Sequence, residues 1–206
     1  MAEEIKEIKR VLSDQVVFEG ELFEIIRRTI EYINGDLTGV LEVELARRPP
    51  GIRAILRDND HRLLLIKEYR IEHNDWDYRL AGGKVFDSLA EFRAISSDEE
   101  LLAHASVALE REVLEETGWT IGDRKLLCIT KAGASVLWDL YFYEAVVKAK
   151  SLSAPVVGDE IIHPEWLSVD QVLEMCINGR IKEDRTVGVL LRYIISNAAN
   201  MPILRQ

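Results

Sequence analysis

Cysteine is almost absent. Cys128 and Cys176 are the two thiols in 206 residues, and no CxxC pair occurs. That excludes a disulfide framework and leaves two reduced thiols, as expected of a cytoplasmic protein. Positive charge is also scarce: 26 Lys and Arg stand against 36 Asp and Glu, a formal charge of −10 and a pI near 5.0. Nucleic-acid binding runs on Lys and Arg neutralising phosphates, so no nucleic-acid partner is expected. Any anionic ligand must find a local cation. No apolar run approaches the roughly 18 residues of a bilayer span, and no membrane partner is expected. The opening Met1-Ala2-Glu3-Glu4 lacks the basic flank of a signal peptide. Two common catalytic signatures are missing as well: the G-x-x-x-x-G-K-[ST] phosphate loop and the G-x-S-x-G nucleophile context. What remains is 48% hydrophobic and 30% charged, the composition of a folded globular chain.

Residues 1–14 alternate Glu and Lys with Ile5, Ile8, Val11 and Leu12, a spacing that predicts a short amphipathic helix. Val16–Gly20 and Leu22–Tyr32 read as strands. Asn34-Gly35-Asp36 signals a turn into a returning strand, Leu37–Leu45. Arg47-Arg48-Pro49-Pro50-Gly51 breaks the chain. It suggests residues 1–48 as an N-terminal helix and antiparallel sheet, and 49–206 as the main body. Strands are expected at Ile52–Arg57, Leu63–Tyr69, Trp76–Leu80, Leu126–Thr130, Leu137–Val147 and Ile161–Trp166. Ser88 and Ser97 open two capping-box helices, the second running to Thr117 before Gly118. Ser168 opens another, and Asp184–Ser196 forms the last. The fold class implied is α/β of the α+β type, a curved mixed sheet with helices outside it.

The informative stretch is Arg111-Glu112-Val113-Leu114-Glu115-Glu116-Thr117-Gly118-Trp119. On a helix, Glu112 and Glu116 are i,i+4 neighbours and Glu115 lies i+3 from Glu112, so the three carboxylates are expected on one stripe. Val107 and Leu114 are expected to be buried on the opposite face. Three like charges near a helix C-terminus repel one another and oppose the dipole. Either the face is merely solvated, or a hard divalent cation, Mg²⁺ or Mn²⁺, compensates it. Five fixed positions in R-E-x-x-E-E-x-G arise by chance on the order of once in several thousand chains, which favours the cation.

This stretch resembles the second half of the Nudix hydrolase motif, G-x5-E-x7-R-E-U-x-E-E-x-G-U, with U a bulky apolar residue. The leading glycine is best placed at Gly83, in Leu80-Ala81-Gly82-Gly83-Lys84. That segment is similar to the L-P-A-G-K of the ADP-ribose and nucleotide-sugar pyrophosphatase branch. Gly83 and Arg111 are 28 positions apart, where the motif has 14, and the motif's bracing Glu is replaced by Ala103. Some 14 residues, 84–97, are inserted. Leu65–Arg70 resembles the branch's strand ending Q-Y-R, and Gly179–Thr186 resembles its opening of the final helix.

The resemblance implies an α/β/α sandwich with a small N-terminal antiparallel sheet that mediates a homodimer. It implies an Mg²⁺-dependent (or Mn²⁺-dependent) diphosphatase acting on a small-molecule nucleoside diphosphate derivative, either a nucleotide-sugar or ADP-ribose. The implied metal ligands are Glu112, Glu115, Glu116 and the carbonyl of Gly82. Glu115 and Arg111 also count among the catalytic residues, and Glu160, from the loop pair Asp159-Glu160, is the implied base. Arg70, Arg79 and Lys84 are candidates for phosphate or nucleotide contact, and Trp76 for stacking; surface pairing, solvation or core packing are the plainer readings of these four. Arg79 stands where the branch often has Glu. Two rival readings stay open: hydrolysis of another diphosphate, such as a dinucleotide polyphosphate or a coenzyme, and a non-catalytic nucleotide-sugar sensor on the same fold.

Overall fold

β-branched and aromatic residues recur through the first fifty residues and build three long strands. The structure, a computed structural model, describes residues 7–34, 37–71, 74–151 and 161–197. β1 (Glu7–Glu19) pairs antiparallel with β2 (Glu24–Asn34), and β2 with β3 (Leu37–Arg47). The helix expected over 1–14 is a strand from Glu7 onward; residues 1–6 and the turn residues Gly35 and Asp36 lie outside the described residues. Apolar spacing alone suited a helix. Pairing with β2 instead satisfies the backbone, and the alternating charges find partners across the strands, Arg10 with Glu31 and Asp14 with Arg28.

Chain contacts sort into two compact units. The first comprises Met1–Pro50, Phe86–Ser96 and Lys131–Asp139; the second comprises Gly51–Val85, Ser97–Thr130 and Leu140–Gln206. The first unit therefore recruits most of the inserted segment. Its short α1 (Leu89–Arg93) is capped by Ser88, whose Oγ accepts from the Glu91 N–H. The Leu89 N–H donates to the Glu21 carbonyl at 2.9 Å, and Arg93 reaches Glu19 at 2.6 Å. Arg93 also meets Glu24, which is fully buried and receives Arg47 from the other side. A buried carboxylate flanked by two guanidiniums escapes the cost of an unpaired interior charge. β8 (Val136–Leu137) adds to β3 in parallel. The single strand expected over 137–147 is thus two, of which only the second belongs to the other unit.

The second unit is a mixed sheet in the order β10-β5-β4-β9-β7, with β6 on β5. Its strands are β4 (Gly51–Arg57), β5 (Leu63–Arg70), β6 (Asp75–Arg79), β7 (Trp119–Thr130), β9 (Leu140–Lys150) and β10 (Ile162–Leu167). β4 and β9 run parallel, and the other neighbours run antiparallel. Ile52, Ile55, Leu56, Leu63–Ile66, Leu140 and Phe142 form its core.

α2 (Asp98–Thr117) starts at the Ser97 cap and stops at Gly118, whose φ of 71° is the left-handed conformation that suits glycine at a helix end. Its buried stripe is Ala105, Ala108, Leu109 and Val113; Val107 and Leu114, expected inside, are 67% and 38% exposed. The two alanines let the helix axis approach the sheet, and this fixes the inner face about one residue away from the larger side chains.

α3 (Val169–Ile177) begins with a complete capping box between Ser168 and Gln171, and it packs on α4 (Asp184–Asn197). Arg124 of β7 bonds Ser106 and Glu110 of α2, whereas Tyr193 of α4 bonds Glu144 of β9 on the opposite face. Helices therefore cover both sides of the sheet, the α/β/α arrangement the motif implied. Among the described residues no helix is long and apolar enough to cross a membrane.

Candidate active site

Residues 81–84 run beside the first half of β4. The Ala54 N–H donates to the Ala81 carbonyl at 2.8 Å, and the Ile52 N–H to that of Gly83 at 2.9 Å. At Gly82 a side chain would put its Cβ 2.2 Å from the Ile52 oxygen, and φ there is 146°. At Gly83 the obstacle is different: a Cβ would lie 2.5 Å from the Glu112 carboxyl carbon. One glycine lets the loop approach β4, and the other lets the helix carboxylate approach the loop. The Gly82 N–H donates to Glu116 Oε2 at 2.7 Å. Arg111 donates to the Lys84 carbonyl at 3.2 Å and to Glu112 Oε1 at 3.0 Å. The loop and the helix end thus meet across the 28-residue spacing.

Burial pushes the Glu116 carboxyl up to about 8. The neighbouring Glu112 adds to the rise, and the Gly82 N–H and Arg53 work against it. A pair of acids held this close without a cation keeps a proton that a hard ion can replace. The stripe is narrower than expected, because Glu115 is exposed while Glu112 and Glu116 turn inward. Among the described residues no three His, Cys, Asp or Glu side chains converge on one point. The donors present fit Mg²⁺ or Mn²⁺ through two carboxylates set against a glycine cradle; a third protein side chain would have to come from Glu115 or from elsewhere.

Arginines flank this pair. On β5, Glu68 is buried and receives Arg70 at 2.5 Å and Arg79, from β6, at 3.2 Å. Arg53 of β4 is also buried. It lies 3.8 Å from Glu183, and its Nε has no hydrogen-bond partner. Burial lowers its pKa, and Arg79 adds to that. Burial also works against the Glu183 carboxylate, yet Arg53, the Thr186 hydroxyl and Arg185 hold it below its ordinary value.

Strand alternation puts Trp76 and Tyr78 on the face of β6 opposite Arg79. There Lys67 lies 5.1 Å over the Trp76 ring, and the His163 ring is 5.5 Å away. So Glu112, Glu116, Gly82 and Arg111 come together, Arg70 and Arg79 share Glu68, and Trp76 is directed elsewhere. Lys84 contributes its backbone. Glu160 and Asp159 lie outside the described residues. Sequence reading passed over Arg53, Glu68 and Glu183. The available signal for Arg53 was a charge inside the apolar run Ile52–Leu56.

A NUDIX domain model matches residues 47–186. The chain belongs to the Nudix family. It is 29% identical to a GDP-mannose pyrophosphatase of Escherichia coli O9:H4 (strain HS) over 135 residues, covering 64% of this chain and 65% of that protein. It is 28% identical to the protein of the same description from Shigella flexneri serotype 5b (strain 8401) over a stretch of the same length. The chain therefore spans just under two thirds of these relatives' length. A crystal structure of an ADP compounds hydrolase shares the fold, with a TM-score of 0.66 at 19% identity over 93% of this chain and 95% of that one. These matches agree with the ADP-ribose and nucleotide-sugar pyrophosphatase-like branch that its glycine loop resembles.

The position of Glu116 gives a test. Between pH 4.5 and about 8 the folded carboxyl keeps its proton while the unfolded one has lost it, so metal-free stability drains as pH rises through that window. Glu116→Gln removes the effect. Its melting temperature should exceed that of the parent by an amount that grows to on the order of 10 °C by pH 8. Mg²⁺ added at pH 8 should narrow the gap, read by calorimetry or dye-binding melts.

Proposed function

We propose that the chain hydrolyses the diphosphate linkage of a nucleotide-sugar or of ADP-ribose, giving a nucleoside monophosphate and a sugar phosphate. The observation that carries the reading is the convergence of Glu112 and Glu116 on the Gly82–Gly83 loop, with Arg111 bonded to Glu112 and to the Lys84 carbonyl. The GDP-mannose and ADP-compound relatives support the substrate class.

A diphosphate carries two negative charges that repel an attacking water. Bound by Glu112, Glu116 and the Gly82 carbonyl, with Glu115 as the further ligand, Mg²⁺ or Mn²⁺ would neutralise phosphate oxygens and acidify water. The residues do the rest. Arg111 grips the Lys84 carbonyl and fixes the loop. Arg70 and Arg79, both held on Glu68, are the guanidiniums assigned to the phosphate. Lys84 adds a further cation beside the glycines. Glu160 takes the proton of the water as its oxygen bonds to phosphorus and the bridging P–O bond breaks. Trp76 is given no part.

We also infer a homodimer joined through the first unit. Its sheet leaves Val11 49% and Leu41 50% exposed, both paired with Ile30, and Phe18 60% and Val40 62% exposed elsewhere on it, apolar surface for a second copy to cover. With two thiols and no disulfide among the described residues, a cytoplasmic location fits this reading.

A panel of nucleotide-sugars, ADP-ribose and dinucleotide polyphosphates with Mg²⁺ or Mn²⁺ should give monophosphate products from the first two classes. Glu112→Gln and Glu116→Gln should each cut kcat by about a hundredfold or more while leaving circular dichroism unchanged. Wild-type turnover in both would refute the site, and binding of a nucleotide-sugar without products would favour a sensor. Glu160→Gln should lower kcat more than it raises KM; an unchanged kcat removes it as base. Light scattering at micromolar concentration should give twice the 23.5 kDa chain mass; a monomer would sink the dimer.

A further inference from the structure

The sheet's other face holds a cavity that this chemistry does not use. Its volume is about 320 Å³, within the range of small-molecule sites. β7 and β9 form its floor and α4 its wall. Alternation separates it from the catalytic helix: Arg124 turns to α2, and Lys125, the next residue, turns to the cavity. A register shift between Leu126 and Cys128 lets both Leu127 and Cys128 line it.

The charge in the cavity is uneven. Glu144 accepts from Arg57 and from Tyr193, each at 2.9 Å and both on Oε1, so its charge is compensated. Lys125 and Arg192 also line the cavity, and neither forms an ion pair among the described residues. Arg192 is oriented by its Nε–H, which donates to the Gly188 carbonyl at 3.1 Å. Two uncompensated cations, a carboxylate with Oε2 available as acceptor, and an apolar patch of Leu127 and Val189 call for a dianion on a hydroxylated body.

We propose that this cavity binds a small sugar phosphate, its phosphate between Lys125 and Arg192 and its hydroxyls toward Glu144. The site stands whether or not the hydrolase reading holds.

Cys128 supplies a reporter, since it lines the cavity and is partly exposed while Cys176 is buried. Full-length protein is alkylated with iodoacetamide, and Cys128 modification is followed by peptide mass spectrometry. Ribose 5-phosphate should slow that modification about fivefold at saturation. Calorimetry should show the same ligand binding, weakened about tenfold or more by Lys125→Ala with Arg192→Ala. Binding should survive Glu116→Gln, which places it outside the catalytic pair.

Absence of protection, protection unchanged in the double variant, or binding lost with Glu116→Gln would each overturn the site. Equal protection by ribose or by inorganic phosphate alone would overturn the ligand class. Circular dichroism of the double variant keeps a folding defect from passing as support. Both substituted side chains are exposed, and turnover should be unchanged without the ligand.

Discussion

Everything around the glycine loop of the second unit depends on one electrostatic problem. Two carboxylates, Glu112 and Glu116, are pressed toward each other and toward a loop with no side chains to offer. Water would relieve the repulsion, but Glu116 is half-buried, and burial raises the cost of its charge. A backbone N–H from Gly82 offers partial relief, and a proton completes it in the metal-free state. The arrangement costs stability by itself and makes sense as a receptor for positive charge. Gly82 and Gly83 belong to the same solution, because any larger residue at either position would hold the partners apart.

The arginines extend that logic outward. Glu68 collects Arg70 and Arg79, and Glu183 collects Arg185 with Arg53 nearby. Each of these carboxylates serves more than one guanidinium, in a chain whose overall charge is −10. A global excess of acid thus coexists with a local cluster of guanidiniums. Arg53 is the unusual member. Placing a guanidinium inside a fully buried strand is costly, and nearby Glu183 offsets that cost.

Much of this was legible in the residues. Arg111–Gly118 announced its helix position and the neighbouring of Glu112 and Glu116, because i,i+4 geometry follows from the sequence alone. Ser88, Ser97 and Ser168 marked three helix starts correctly, since a capping side chain acts within three residues. What could not be read involved partners distant in sequence. Residues 7–14 carry a helical spacing, yet β2 decides their state. Val107 and Leu114 have the bulk of core residues, yet Ala105 and Ala108 set which side of α2 approaches the sheet. The inserted residues looked like an interruption; only the pairing of Arg93 with a buried Glu24 shows what they belong to.

That last feature has a bearing on how the polypeptide is made. The first unit draws on three separated stretches, the last ending at Asp139. A ribosome must therefore have released about two thirds of the chain before Arg93 and β8 can both be in place. Until Arg93 arrives, Glu24 has only Arg47 to neutralise it, so the nascent sheet waits for a segment encoded some seventy codons later. For the same reason neither unit can be cut out as one continuous gene fragment: a truncation at Pro50 would take away the partners of residues 86–96 and 131–139.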